Sequence, residues 1–263
     1  MKQLVKIYNV TPKEYSTIES IKKHVEFCGR LCYNSRDKID DESYERFYKM
    51  LCNKKHMSPL AHGTVYLTIP NTSEWKAKYL EYIPQGIWSR NPWIRVNEDS
   101  DHIFITTSLR FIETYQLHDW LQYLTQPCYM HTPRYTFEVL GPISFTREFN
   151  RHAYLLNGIC EMSTRYCKME DGDYLACDPD INNKIEIGMD MYGLALLKHK
   201  PQDAREILPL GTMSRVVYTA FADDWDEIMT KRSSDAGAIG QHPVCNEIAN
   251  LINKELEILK SKQ

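Results

Sequence analysis

A chain of 263 residues with 43% hydrophobic and 25% charged side chains has apolar mass enough for one large core or two small ones. Its formal charge of −3 gives no net attraction to nucleic acid or an anionic membrane, so any anion must be gripped locally by placed arginines. Eight cysteines without a CxxC pair or a Cys/His zinc spacing, no N-terminal secretory signal, and no apolar run near the roughly 20 residues that span a bilayer give the expectation of reduced thiols in a cytoplasmic protein with no metal.

In chain order, "VKIYNV" predicts a strand, and a helix follows with Ile18, Ile21, Val25, Cys28 and Cys32 on one face. Residues 41–53 repeat that pattern with Tyr44, Phe47, Tyr48 and Leu51. "HGTVYLTIP" alternates Val65, Leu67 and Ile69 with polar or amphipathic neighbours, a strand stopped at Pro70. Residues 71–133 are rich in Trp, Tyr and Pro and carry a strand, "HIFITTS", and a short helix, "LHDWLQYL". Next come a strand, "RYTFEVL", and a helix, "SFTREFNRH". "KIEIGMDMYGLALLKH" reads as a helix with Ile187, Met191, Leu194 and Ala195 on one side, and "PQDAREILP" as a short one opened by Pro201 and ended by Pro209. From Ser214 the spacing of Val217, Phe221, Trp225, Ile228 and Arg232 predicts one longer helix, and a last helix after Pro243 carries Ile248, Leu251, Ile252 and Leu259. No internal repeat is visible. The expectation is an α+β fold, a mixed or antiparallel sheet with several packed helices, forming a single domain over residues 1–263 with an insertion around 71–133.

The stretch "RHAYLLNGICEMSTRYC", residues 151–167, sets Arg151, His152, Glu161, Ser163 and Arg165 among leucines. If "EMSTRY" is extended, Glu161, Ser163 and Arg165 share one side. That is either a half-exposed edge strand or a ligand-facing row, in which an arginine clamps a phosphate and a serine hydroxyl completes its shell. Arg205 reads by itself as a solvated helix residue. Arg232 ends an apolar stripe and so should point inward or toward a partner subunit, where it requires an anion or acceptor. His56 and His62 bracket a turn at Pro59 and lack a third ligand for a metal. The glycines of "DAGAIGQHP" match no dinucleotide fingerprint.

Taken together, these residues resemble the flavin-dependent thymidylate synthases, whose signature is R-H-R-x-x-S-x-N-E-x-S-x-R-Y. Here Arg151-His152 stand first, then Glu161-Met162-Ser163-Thr164-Arg165-Tyr166. "GRLCYNS", "HMSPLAHGTVYLTI", "DAREILP" and "QHPVCNEI" resemble further family segments in the same order. The resemblance implies the family's fold and the making of thymidylate from deoxyuridylate (dUMP), with FAD, methylenetetrahydrofolate and NADPH. It implies a homotetramer with shared active sites. Arg165 and Arg205 would hold the phosphate, with Glu148, Glu161 and Ser163 in the same pocket. Arg232 would approach the uracil ring, and Ser163 and Arg232 are the implied catalytic residues. His56, Ser58, Arg151 and His152 would lie by the flavin and folate.

The departures fall on the flavin side. Ala153 replaces the third residue of R-H-R, and Ala61 stands where the family commonly has glutamate. Phe221, Asp223 and Glu227 replace positions that often carry Asn, Arg and Asn. Other flavin contacts, supplied by residues 71–133, are one explanation. A folate-dependent hydroxymethylase that finishes with water and needs no hydride is another, and a nucleotide-binding protein without catalysis is a third.

Overall fold

The computed structural model describes residues 5–82, 91–169, 174–175, 178–233 and 242–261. The chain enters through β1 (Lys6–Asn9) and turns into α1 (Ile18–Gly29), which starts where the Thr17 hydroxyl accepts the Ser20 backbone N–H. Ile21, Val25 and Cys28 are buried as their spacing predicts, while Cys32 lies beyond the helix in a 3-10 turn, Arg30–Tyr33. Helix α2 (Ser43–Asn53) packs Phe47 and Leu51 into the same core.

Strand β2 (Thr64–Pro70) is buried on both faces, Tyr66 included, so its alternation separates two interiors rather than core from solvent. Residues 71–133 then add α3 (Ser73–Leu80), β3 (Arg95–Glu98), β4 (His102–Ser108) and α4 (Leu109–Tyr115). The predicted "LHDWLQYL" helix is a 3-10 helix, His118–Tyr123. Thr72 and Ser108 cap α3 and α4 by accepting the Trp75 and Phe111 N–H groups. The strands pair antiparallel in the order β2-β4-β3, so most of the insertion completes a sheet begun by β2 and shares its core with Val65, Leu67, Ile105 and Trp120.

Strand β5 (Arg134–Pro142) runs into α5 (Ile143–Phe149), and after a 3-10 turn comes β6 (Gly158–Glu161). Helix α6 (Asn182–Leu196) is followed by the short α7 (Pro201–Ala204), opened by Pro201. Ile187, Met191 and Leu194 do share a side of α6, but that side faces outward, 61%, 50% and 60% exposed, and the helix buries Ile185 and Tyr192 instead.

The long helix expected from Ser214 is overturned. Met213–Phe221 is strand β7, and only Ala222–Arg232 is helical, α8. Strand β7 lies between β5 and β6 in a second antiparallel sheet, order β1-β5-β7-β6, and is buried throughout except at Arg215. A strand covered on both faces loses its alternation, and the β-branched and aromatic run Val216, Val217, Tyr218 and Thr219 is the signal that decides for it. Helix α9 (Pro243–Lys260) lays Ile248 and Ile252 into this sheet's core beside Phe137, Trp225 and Ile228.

Gly158 joins the two halves. A Cβ there would lie 2.9 Å from His62 Nδ1, which is itself 2.7 Å from Thr219 Oγ1 on β7. Among the described residues, no helix is long and apolar enough to cross a membrane.

Candidate active site

Strand β6 pairs with β7 as far as Glu161, opposite Val216. Beyond it the chain does not stay extended as the alternation of "EMSTRY" suggests. The Met162 N–H still bonds to Arg215 O at 2.8 Å, but the Ser163 N–H turns to Cys32 O at 3.0 Å. The carbonyl of Ser163 then accepts Tyr166 and Cys167 N–H at 3.1 and 2.9 Å, and its Oγ accepts the Arg165 N–H at 3.3 Å. This turn keeps Glu161 and Ser163 together and carries Arg165 outward, exposed, with its guanidinium 5.4 Å from the Tyr166 ring.

Glu161 and Ser163 open onto a cleft of about 590 Å³ whose other lining residues include Ile143 and Arg147 of α5 and Arg205, Glu206 and Leu208 beyond α7. Glu161 Oε1 accepts the Thr146 hydroxyl at 2.7 Å and the Ser214 hydroxyl at 3.4 Å. Burial pushes its pKa up against those bonds, so it takes a proton more readily than an ordinary carboxylate. The Arg147 charge acts on Glu161 across the cleft, opposing the effect of burial on its pKa. The cleft thus sets Arg147, Arg205 and the Ser163 hydroxyl beside two carboxyl groups, Glu161 and Glu206, and the three donors can hold an anion. Arg147 escapes the sequence reading; its signal is its position one turn from Ile143 on α5, facing the same cleft.

Glu148, His152 and Arg232 are brought together elsewhere. Arg232 points inward, as its stripe requires, and its Nη1 donates to Glu148 Oε1 while its Nε donates to His152 Nε2 at 2.8 Å. The His152 Nδ1 is buried with no partner among the described residues, and burial, followed by the Arg232 charge, lowers its pKa to about 4. None of the three lines the Glu161 cleft.

A second cleft, also about 590 Å³, is lined by His56 and Ser58 together with Lys55, Arg110, Tyr33 and Cys160. Arg110 stacks its guanidinium 4.6 Å from the Trp93 ring. Ile159 and Cys160 of β6 face this cleft and Glu161 the first, so one strand walls both. Arg151 is exposed and lines neither. His62 is buried and neutral, its pKa held down chiefly by burial.

Two of the departing residues, Phe221 and Asp223, meet the insertion. Arg95 of β3 bonds Asp223 Oδ2 through Nε at 3.0 Å and both Asp224 oxygens through Nη2 at 3.0 and 2.9 Å, at the start of α8 where the helix dipole also favours acids. The same guanidinium lies 4.2 Å from the Phe221 ring. Glu227 accepts Lys231 Nζ at 2.7 Å and the Tyr154 hydroxyl at 3.4 Å. Ala61 is fully buried, its carbonyl accepting Arg134 Nη2 at 2.9 Å, and Ala153 is exposed. The glycines of "DAGAIGQHP" and Cys177 lie outside the described residues.

A sequence model of the family described as thymidylate synthase complementing protein matches residues 106–261. Comparison with curated proteins finds no match. Among solved structures, the chain is similar to the flavin-dependent thymidylate synthase ThyX from Helicobacter pylori complexed with FAD and dUMP, at 12% identity over 95% of this chain and 92% of that one, TM-score 0.42. A second structure of that enzyme with FAD and dUMP gives 12%, 95%, 92% and 0.43. A UMP/dUMP methylase, PolB from Streptomyces cacaoi bound with 5-Br dUMP, gives 15% identity over 95% and 89%, TM-score 0.40.

Proposed function

We propose that this chain, which belongs to the thymidylate synthase complementing protein family, is a methyltransferase that replaces the C5 hydrogen of deoxyuridylate with a methyl group, using methylenetetrahydrofolate, FAD and NADPH. The observation that carries this reading is the cleft in which Glu161, Ser163 and Arg205, drawn from two separate sequence motifs, meet Arg147.

In this reading Arg147 and Arg205 hold the nucleotide phosphate by charge-assisted hydrogen bonds, and the Ser163 hydroxyl completes its shell. Glu161, its pKa raised by burial, stands beside them at the head of the same cleft. Arg232, which lies outside this cleft and bonds Glu148, is given by the motif to the uracil ring, where it would offset negative charge on a carbonyl oxygen. Glu148 partners it, and His152, being neutral, adds no second charge. Arg151 and Arg165, exposed and outside both clefts, are given to a neighbouring subunit's site. The outward apolar side of α6 supports such an assembly, since exposed Ile187, Met191 and Leu194 gain from being covered.

The second cleft fits a pyrophosphate-bearing cofactor. Lys55 and Arg110 supply positive charge, Ser58 a hydroxyl, and Tyr33 a flat wall beside His56. FAD held there would supply the one-carbon relay and the hydride. The Phe221–Asp223 surface is already engaged, because Arg95 bonds Asp223 and lies over the Phe221 ring.

That last contact favours a second reading, folate-dependent hydroxymethylation of a pyrimidine nucleotide, which ends with water and requires no hydride. Incubating the protein with deoxyuridylate or deoxycytidylate, methylenetetrahydrofolate, FAD and NADPH separates the two by product mass. A methyl product supports the first reading and a hydroxymethyl product the second. Bound nucleotide with no product would leave a non-catalytic binding protein.

A further inference from the structure

Glu161 lies directly opposite Val216 in the β6–β7 pairing, so its side chain shares a face with Ser214, Val216 and Tyr218 of β7. That face is the apolar one. Val216 and Tyr218 are fully buried in the core built with Phe145 and Phe149 of α5. A carboxyl at the edge of such a core is stable only where polar groups meet it.

Three side chains meet Glu161, and a fourth holds one of them in place. The buried Thr146 hydroxyl is 2.7 Å from Glu161 Oε1 and 3.1 Å from the Ile143 carbonyl. It has one proton, and the carboxyl oxygen is the nearer acceptor. Thr146 needs no carboxyl for its own sake, since the carbonyl is within reach. The buried Ser214 hydroxyl reaches the same Oε1 at 3.4 Å. Asn150, one turn beyond Thr146 at the end of α5, also hydrogen-bonds to Glu161 through its side chain. The Tyr218 hydroxyl donates to Asn150 Oδ1 at 2.9 Å, which leaves the amide NH2 for the carboxyl. Burial keeps Tyr218 a phenol, and it does not line the cleft.

We propose, on the reading of that cleft as the nucleotide site, that Thr146, Ser214 and, through Asn150, Tyr218 are positioning residues for the nucleotide reaction: they hold Glu161 at the head of the cleft as an oriented carboxylate that only accepts. The other charged or titratable groups facing it among the described residues are Arg147 on α5, Arg205 and Glu206 beyond α7, and Cys32 in the 3-10 turn. Removing a donor disfavours the carboxylate, so Glu161 takes its proton at higher pH. Protonation costs the cleft an acceptor and releases Arg147 from an attraction that steadies it, so nucleotide binding weakens as the carboxyl titrates.

The test follows the Glu161 carboxyl by carbon-13 NMR of glutamate-labelled protein, its signal identified by its loss in Glu161→Gln. Deoxyuridylate affinity is measured by calorimetry at the same pH values. Thr146→Val, which keeps the outline of the side chain, should move the carboxyl titration to higher pH, and the acid-side loss of affinity should move with it. Ser214→Ala should do the same to a smaller extent, its bond being the longer one. Thr146→Ser keeps the hydroxyl and should titrate as the parent does. Tyr218→Phe should also shift both profiles; a merely structural tyrosine would lower the unfolding midpoint and leave them in place. The nucleotide phosphate has its own titration at about pH 6, which Glu161→Gln retains while losing the other. An unmoved carboxyl titration in Thr146→Val or Tyr218→Phe overturns the proposal, and so does affinity that rises as the carboxyl takes its proton. Carboxyl titrations that move while the binding profile stays in place overturn the positioning role and leave the nucleotide site standing. A parent that binds no deoxyuridylate at any pH removes the nucleotide reading itself, and the positioning role with it.

Discussion

The Nε–H of Arg232 donates to Nε2 of His152 at 2.8 Å, and that bond fixes the protonation of both side chains. Arginine keeps its proton, so Nε2 of His152 is bare and the imidazole is neutral. Burial first, and the Arg232 charge second, lower the His152 pKa from 6.5 to about 4. The unfolded chain therefore binds more protons than the native one between those values. The stability this group contributes is complete above about pH 6.5 and is lost as pH falls toward 4. Urea midpoints measured across that window should depend less steeply on pH in His152→Gln than in the parent. An equal slope would mean His152 titrates normally, leaving His24, His62 and His131, also depressed by burial, to account for acid sensitivity.

Nucleotide affinity should map onto the cleft rather than onto every arginine of the motifs. Arg147→Ala and Arg205→Ala each remove one charge-assisted contact, worth about 1.5–3 kcal/mol, so deoxyuridylate should bind roughly 10–100-fold more weakly by calorimetry. Arg165→Ala is informative in another way. Its guanidinium leaves the cleft, and a loss of affinity as large as that of Arg205→Ala would place Arg165 in a site completed by a second subunit.

Arg95 ties β3 to the start of α8, and its removal should be felt in folding. Asp224 is buried, so Arg95→Met takes away the guanidinium that both its oxygens bond, a change that costs about 3–5 kcal/mol in comparable buried pairs. Replacing Asp224 by Asn in the same chain should restore part of the loss in urea unfolding. If the single and double variants unfold alike, the pair does not carry the junction.

Gly158→Ala would press a methyl group to within 2.9 Å of the His62 ring, which is buried and anchored to Thr219 and so has no room to yield. Overpacking of this kind costs about 1–3 kcal/mol. The expected result is a lower melting temperature and, because β6 must shift, weaker nucleotide binding. A variant as stable as the parent would show that the ring gives way.

What could be read from the sequence followed from where each element sits. Helices α1, α2 and α9 each have one buried face, so the spacing of Ile21 and Val25, or of Ile248 and Ile252, is visible in the chain. Strand β7 has two buried faces, which erases the period of two, and the interval from Val217 to Phe221 to Trp225 imitates a helical turn across a strand–helix junction. The insertion hid its helices because α3 and α4 are announced mainly by single capping residues, Thr72 and Ser108. Glu161, Ser163 and Arg205 were legible as ordered motifs. Arg147, Arg110 and Arg95 were not, since a charge on a helix or strand looks solvated until the fold brings another segment against it.

Strand β6 is only four residues long, and its last two, Cys160 and Glu161, face different clefts. Ile159 and Cys160 wall one cleft and Glu161 the other, so an offset of that strand would alter both linings. Any displacement of so short a strand moves a wall of both clefts at once. Where occupancy of one cleft changes affinity at the other, linkage returns the change in the same measure.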